Sequence, residues 1–503
     1  MHKKIRPLAD LVQLVGPRPR ARSVAMVAGV FDVVHPGHIR HLMYAKGKAD
    51  ILVASVTCDR HVNKGTYRPH VPQDLRALNL AALEMVDYVM IDPEPTPLAS
   101  IAALQPDFFC KGSDYGHIPP ETQSEAALVE SYGGEMLFTP GDVVYSSSRI
   151  IEADAPRLTY EKLLAVMQRD GITFDDLRLL MANWAGRKVL VVGDTIVDSR
   201  SHCELIGSGS KTPTLSVRED RRDDFIGGAA IVARHLAAAG ADVTFATVLG
   251  NDLLGEWVLS NMPGVKVRPT ADATRPTTNK RTFVCRDHAL LKVDTVQNHP
   301  ISSRALAELV RVVEGSDAAT VIFSDFRHGI FNEQTVPPLR EAIPGGCYRA
   351  ADSQVASRWG NILDFFGFDL ITPNEREARF ATGEQESGIR GLVTRLFEAA
   401  ECGTCLMKMG EHGVIGCRSA EEGELDSYIV LDSFTRAVVD PVGAGDALLA
   451  YAALSQDAAA GAILGSIAAA IECEREGNIP VAAGDVLSRL AEIETEAGYG
   501  SRH

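Results

Sequence analysis

The chain has 503 residues, 46% hydrophobic and 23% charged, an ordinary globular composition long enough for two or three domains with full cores. Its formal net charge of −16 argues against a nucleic-acid partner, although helix N-termini and a few lysines can still hold phosphates locally. No apolar run reaches the ~18 residues of a membrane span, so no membrane partner is expected. The basic opening MHKKIRPLADLVQLVGPRPRARS lacks a signal peptide's apolar core and cleavage site, and the expected location is cytoplasmic.

In chain order, SVAMVAGVFD (23–32) reads as a buried, Val-rich strand that runs into a Gly-containing turn. HIRHLMYAKGKA then reads as a helix, DILVASVTCD as a strand, LRALNLAALEMV as a helix and DYVMID as a strand. PLASIAALQP and DFFCKGSD continue the pattern as helix and strand. This alternation predicts a doubly wound, Rossmann-like α/β domain over residues 1–153. The amphipathic stretch from Thr159 to Gly186 predicts a helical linker, placed at 154–186. RKVLVVGDTIVD (187–198) opens a second alternation of strands and helices, predicting another α/β domain over 187–503. Within it lies the one close cysteine pair of the nine cysteines, Cys402 and Cys405 in ECGTCLMKMG. With no second CxxC and an apolar run following, the pair reads as reduced cysteines at a strand entrance.

The first candidate site is GVFDVVHPGHIRH (29–41). A turn after a parallel strand is where α/β proteins bind ligands, and a helix N-terminus favours anions. His35 and His38 project from one side of the first helical turn, and Gly37 between them leaves room for a ligand. Two imidazoles can donate hydrogen bonds to a triphosphate and stabilise charge growing on phosphorus. Spacing alone leaves incidental surface histidines equally open.

The stretch resembles the HxGH motif of the nucleotidyltransferase superfamily, near the cytidylyltransferases and nearer the adenylyltransferase domain of the ADP-heptose synthases. The resemblance continues in order through VTCDRHVNKGTYRPHVPQDLRALNLAALEMVDYV, PDFFCKGSDY and VVYSSSRII. It implies that His35 and His38 stabilise the transition state at the nucleotide's α-phosphate, with Gly29, Phe31 and Gly37 shaping the nucleotide site. It further implies Lys46 and Lys64 as phosphate ligands, with Arg68 and Arg76 as additional ones. Lys111, Gly112 and Asp114 would line the sugar or base side, and Ser146, Ser147 and Ser148 would close the triphosphate site. Two serines stand where the family usually has a Thr pair, which keeps the hydroxyls.

The second candidate site is VVDPVGAGDALLAYAAL (438–454). It reads as a strand ending at Asp440, a glycine turn and an apolar helix. The N–H groups of Gly443, Ala444 and Gly445 would face a phosphoryl group in flight, and Asp446 could take a proton from an attacking hydroxyl. The plain alternative is a Gly-rich turn with Asp446 as a helix cap.

This stretch resembles the signature of the ribokinase (PfkB) family of sugar kinases, and the likeness covers about residues 187 to 495. VVGDTIVDS implies Asp198 as a ligand of sugar hydroxyls. FIGGAAIVARHLAAAG places Gly227 and Gly228 at the sugar. ITPNEREA carries Asn374 and Glu377, which the family uses to organise Mg²⁺ and its waters. MKMGEHGV brings Gly410 near the nucleotide. Ile231 stands where the family has Asn, and Pro441 and Val442 stand where Thr or Ser is common.

The pairing of the two domains resembles the bifunctional ADP-heptose synthases, with the domain order reversed. SDFRHG and PTTNKRTF also resemble segments of their kinase half, which makes Lys280 a phosphate ligand. The resemblance implies phosphorylation of D-glycero-D-manno-heptose 7-phosphate at C1, followed by adenylyl transfer to the sugar 1-phosphate. The cofactors implied are ATP and Mg²⁺, with CTP open in the first domain. The implied partners are small sugar phosphates and nucleoside triphosphates, and relatives often self-associate as homo-oligomers. Two alternatives stay open: the same reactions on another sugar or polyol phosphate, and a catalytically silent sugar-phosphate sensor.

Overall fold

The structure, a computed structural model, describes residues 2–62, 68–112, 120–139, 159–208, 215–286, 288–354, 361–418 and 427–497. It divides into two compact units, the first carried by Met1–Leu158 with two short later segments.

The first unit holds a parallel sheet of β1 (Val24–Gly29), β2 (Ile51–Thr57), β3 (Tyr88–Asp92), β4 (Phe108–Gly112) and β5 (Glu135–Thr139), in the order β3-β2-β1-β4-β5. Helices α1 (Leu8–Val15), α2 (Pro36–Lys46), α3 (Gln73–Ala81), α4 (Leu98–Leu104) and α5 (Pro120–Ser131) cover it. Both faces of β1 are buried. Ala25 and Val27 join one apolar cluster with Leu42 and Leu80, while Val24 and Met26 join another with Ile101 and Phe109. That double burial is why β1 reads as a continuous apolar run rather than an alternating one. The strand order reverses at β1, which pairs with β2 on one side and β4 on the other. The carboxyl ends of β1 and β4 therefore flank the switch point where such sheets bind ligands. Helix α1 and the α5–β5 pair were not anticipated from the sequence, and α3 stops at Ala81, short of the predicted Val86.

In the second unit nine strands form one sheet, ordered β10-β9-β6-β13-β14-β15-β16-β17-β18. Its strands are β6 (Lys188–Gly193), β9 (Asp242–Leu249), β10 (Val265–Ala271), β13 (Thr320–Asp325), β14 (Tyr348–Ser353), β15 (Leu370–Ile371), β16 (Thr404–Lys408), β17 (Val414–Cys417) and β18 (Tyr428–Leu431). All pairings are parallel up to β16, and β17 and β18 close the edge antiparallel. A separate sheet, β12-β11-β7-β8, contains β7 (Thr195–Ser208), β8 (Leu215–Gly228), β11 (Thr278–Cys285) and β12 (His288–Thr295). Asp194 alone joins β6 to β7.

The core of this unit gathers around two nearly all-apolar helices, Ala444–Ser455 and Ala458–Cys473. The helices Thr159–Asp170 and Phe174–Ala182, read from sequence as a linker, belong to the same core. Leu163, Val166, Phe174, Leu177 and Trp184 are buried with Ala447–Leu454, and the Trp184 ring meets Tyr451 edge-on at 5.6 Å. Amphipathic helices need a partner for their apolar stripe, and here the core of the second unit supplies it. The predicted strand before Asp440 does not form. Val438, Val439 and Val442 lie in an exposed loop, 67%, 58% and 55% exposed, and the N–H groups of Val439 and Asp440 bond to the Cys473 carbonyl. Cys402 and Cys405 are buried, and burial pushes the Cys402 thiol up to about 12.

Candidate active sites

At the end of β1 the backbone turns sharply. Phe31 adopts φ +51°, and its ring lies so close under Gly29 that an added Cβ would meet Phe31 Cε2 at 3.3 Å. His35 caps α2: its Nδ1 accepts the Gly37 N–H at 3.1 Å, and Pro36 fills the first helical position. A neutral ring accepting at Nδ1 carries its proton on Nε2, so the N–H that His35 has to donate is at Nε2. Burial, with Arg40 adding to it, holds its pKa below the ordinary histidine value. The His35 and His38 rings stack at 3.9 Å, and His38 also packs on Phe31 at 5.1 Å. Both imidazoles thus sit together at the helix N-terminus, at the switch point. Lys111 and Gly112 end the neighbouring β4, and the Lys111 ammonium is paired with Glu125. Arg68 lies beside the buried Asp32, 3.8 Å away.

Two sequence-predicted phosphate ligands are corrected. Lys46 sits at the opposite end of α2 from the histidines, bonded to Asp87 and to the Asp50 carbonyl at 2.6 Å each. At 1.5 Å per residue, that end of the helix is ~15 Å from its N-terminus. Arg76 is fully buried. Its guanidinium bonds to Asp59 and the Thr57 carbonyl at 2.7 Å each and to the Val30 carbonyl, which ties strand ends together. Lys64, Asp114, Ser146, Ser147 and Ser148 lie outside the described residues.

In the second unit, Gly443 (φ +90°) opens the helix Ala444–Ser455, and Asp446 lies in its first turn, 9% exposed. Burial and then Asp352 raise the proton affinity of Asp446 well above that of an ordinary carboxyl, and Lys408 opposes them. Asp198, on β7, also acts on Asp446; it is half-buried, and desolvation raises its own pKa. Across the smaller sheet, Lys280 is the register partner of both Asp198 and Asp294, forming a row of alternating charge. A Cβ at Gly227 would stand 2.3 Å from Asp198 Oδ2, and one at Gly228 (φ +64°) would stand 2.4 Å from the Asp194 carbonyl. Only glycines let the chain pass there. Ile231 is fully buried in the apolar core and offers no hydrogen bond where the family has Asn.

Asn374 and Glu377 form a closed capping box at the start of the helix Glu375–Thr382. Asn374 Oδ1 accepts the Glu377 N–H at 2.9 Å, while Glu377 accepts from the Asn374 N–H and Nδ2 at 2.7 and 2.6 Å. The box sets an amide oxygen and a buried carboxylate side by side, and such hard oxygen donors fit a hard cation held through its waters. Gly410 (φ +58°) opens the turn between β16 and β17, with free space around its α-carbon.

Four groups at this site were not anticipated from sequence. Lys408 bonds to Asp352 Oδ1 at 2.8 Å, and a Cβ on Gly445 would meet its Nζ at 3.2 Å. Asn478 donates to Asp198 Oδ2 at 3.3 Å, and its Oδ1 lies 3.1 Å from where a Gly443 Cβ would be. Glu472 Oε1 approaches the same point at 3.0 Å. Lys408 stands in the MKMGEHGV stretch, where only Gly410 was singled out, and the polar run EREGN (474–478) after an apolar helix marks a loop and no more.

A parallel sheet with a glycine-opened, acid-bearing helix at its carboxyl edge and a second small sheet beside it defines a sugar-kinase fold. Residues 187–482 match the pfkB family of carbohydrate kinases, more than half of the chain, and the chain belongs to that family. Residues 26–153 match the cytidylyltransferase-like family. The bifunctional protein HldE of Syntrophotalea carbinolica is 41% identical over 131 residues, 26% of this chain and 26% of that protein. HldE of Trichlorobacter lovleyi is 37% identical over 151 residues, 30% of each chain. HldE of Bradyrhizobium sp. is 27% identical over 336 residues, 63% of this chain and 65% of that one. Each of these matches thus spans less than two thirds of the relative's length. Phosphofructokinase-2 from Escherichia coli, in complex with fructose-6-phosphate, aligns with a TM-score of 0.50 at 17% identity, over 61% of this chain and 99% of that one. That likeness is one of fold.

Proposed function

We propose that the chain performs two successive steps of sugar-nucleotide synthesis, one in each unit. In the second unit Asp446 takes the proton of a sugar-phosphate hydroxyl, the hydroxyl oxygen attacks the γ-phosphorus of ATP, and ADP leaves. The N–H groups of Gly443, Ala444 and Gly445 receive the charge that builds on the phosphoryl oxygens. Asp198 orients the sugar hydroxyls, with Gly227 and Gly228 making room and Lys280 holding the substrate's own phosphate. Asn374 and Glu377 would hold, through waters, a Mg²⁺ bound with ATP, which would neutralise phosphate charge. In the first unit a sugar 1-phosphate oxygen attacks the α-phosphorus of the nucleotide and pyrophosphate leaves, with His35 and His38 donating to the developing charge. Lys111, Gly112 and Asp114 line the acceptor side, and Lys64, Arg68 and the hydroxyls of Ser146, Ser147 and Ser148 hold phosphates.

The single observation carrying this reading is the buried carboxyl of Asp446 in the first turn of a glycine-opened helix, within electrostatic reach of Asp198. The substrate read from the likeness to the HldE proteins is D-glycero-D-manno-heptose 7-phosphate, and the product after dephosphorylation and nucleotidyl transfer is ADP-heptose. The cytidylyltransferase-like match favours CTP as a second reading for the first unit. Self-association and a cytoplasmic location complete the proposal. Among the described residues, no helix is long and apolar enough to cross a membrane.

The test is a pair of variants. Asp446→Asn should lower sugar phosphorylation by ~10²–10⁴-fold and leave nucleotidyl transfer unchanged. His38→Ala should lower nucleotidyl transfer by ~10²–10³-fold, with ATP or CTP, and leave phosphorylation unchanged. Loss of both activities in either folded variant contradicts two separate sites.

A further inference from the structure

Lys408 ends β16 at the carboxyl edge of the sheet and is a lysine with only 17% of its side chain exposed. Burying an ammonium is costly unless it is paired, and one partner is evident. Its Nζ bonds to Asp352 Oδ1 at 2.8 Å, and that oxygen also accepts from Thr372 Oγ1 at 2.9 Å. Pairing with Asp352 is therefore one sufficient reason for a cation here. The geometry carries a second. The lysine's end lies along the glycine turn: a Cβ on Gly445 would stand 3.2 Å from Nζ, 3.5 Å from Cδ and 3.7 Å from Cε. An ammonium has three N–H donors, and Asp352 takes one.

The charges around it are lopsided. Asp352, Glu377 and Asp446 all act on Lys408, and Asp446 in turn faces Asp352, Asp198 and Glu472. A phosphoryl group entering beside so many carboxyls meets repulsion. The backbone N–H groups of one helical turn carry only about half an elementary charge. A full positive charge against the same turn changes the balance, most of all when charge moves onto the phosphoryl oxygens.

We propose that Lys408 is a catalytic residue of the kinase site, its ammonium contacting the phosphoryl group in flight beside the Gly443–Gly445 turn. The inference rests on the sugar-kinase reading of the second unit.

The test uses the full chain and four variants, compared at one neutral pH after thermal unfolding has shown each to be folded. Lys408→Met lowers kcat for sugar phosphorylation on the order of 10²–10³-fold with little change in the sugar KM, and Lys408→Arg recovers part of the loss. Because Lys408→Met leaves Asp352 buried without its partner, Lys408→Met/Asp352→Asn is made beside Asp352→Asn alone. The double variant stays slow, whereas Asp352→Asn, which keeps the lysine, stays far faster. A second readout needs no turnover. By calorimetry, Lys408→Met loses ~10-fold in affinity for a non-hydrolysable ATP analogue relative to wild type and nothing for ADP. A double variant as fast as Asp352→Asn, or equal changes for the two nucleotides, overturns the assignment. A wild-type chain that phosphorylates no sugar phosphate overturns the kinase reading and this inference with it. An active wild type matched by Lys408→Met overturns this inference alone.

Discussion

Glu472 is fully buried, and neither of its oxygens makes a full hydrogen bond. Burial raises its pKa from 4.5 to about 8, with Asp440 adding to that and Arg475 and the Ile479 N–H pulling against it. The unfolded chain therefore releases this proton at lower pH than the folded one. Stability from the protonated carboxyl is fully present below about 4.5 and is lost as pH rises through about 8. The expected outcome is that Glu472→Gln, which stays neutral, gains in melting temperature over wild type as pH rises across that window. Thermal unfolding of both proteins over a pH series checks it, and a constant difference between them would count against a buried, protonated Glu472. Single residues also show where charge alone misleads. Lys46 and Arg76 were read as phosphate ligands because the nucleotidyltransferase resemblance implies basic ligands in those stretches. One holds the far end of a helix and the other ties strand ends from inside the protein. Sequence displays a charge but not which buried carboxylate or carbonyl already claims it.

Among elements, the α/β alternation was legible because strands buried on two faces read as short Val-rich runs, and β1 to β4 stand where those runs lie. The start of α2 was read two residues late, at His38, although HPGH places a capping side chain, Pro and Gly at successive positions. Two readings failed for physical reasons. VVDPVG has the composition of a strand, but its N–H groups at Val439 and Asp440 bond to the end of a helix at the Cys473 carbonyl, and it runs as an exposed loop. The supposed linker helices are amphipathic, and amphipathicity says that a helix has a partner without saying which. Their partner is the kinase core, where Trp184 is fully buried against Tyr451. Trp184→Ala should therefore cost ~3–5 kcal/mol in the stability of the second unit. Denaturant unfolding followed through the kinase activity checks this, and a loss under ~1 kcal/mol, within the range of a surface substitution, would mean that the helices ride on the unit without supporting it. Lys408, Asp352 and the helix end and loop carrying Glu472 and Asn478 come from three separate segments, and only folding brings them to one glycine turn.

At the scale of the whole molecule, the two activities proposed for the two units are chemically consecutive. Phosphorylation at an anomeric hydroxyl makes the sugar 1-phosphate that, once any other phosphate has been removed, can attack a nucleotide's α-phosphorus. The measurement that tests this most directly follows purified full-length protein with ATP, Mg²⁺ and D-glycero-D-manno-heptose 7-phosphate, first alone and then with a phosphatase that removes the 7-phosphate. The account predicts ADP release in the first stage and an ADP-sugar with pyrophosphate in the second. No ADP release with this sugar or any of a panel of sugar and polyol phosphates would contradict it.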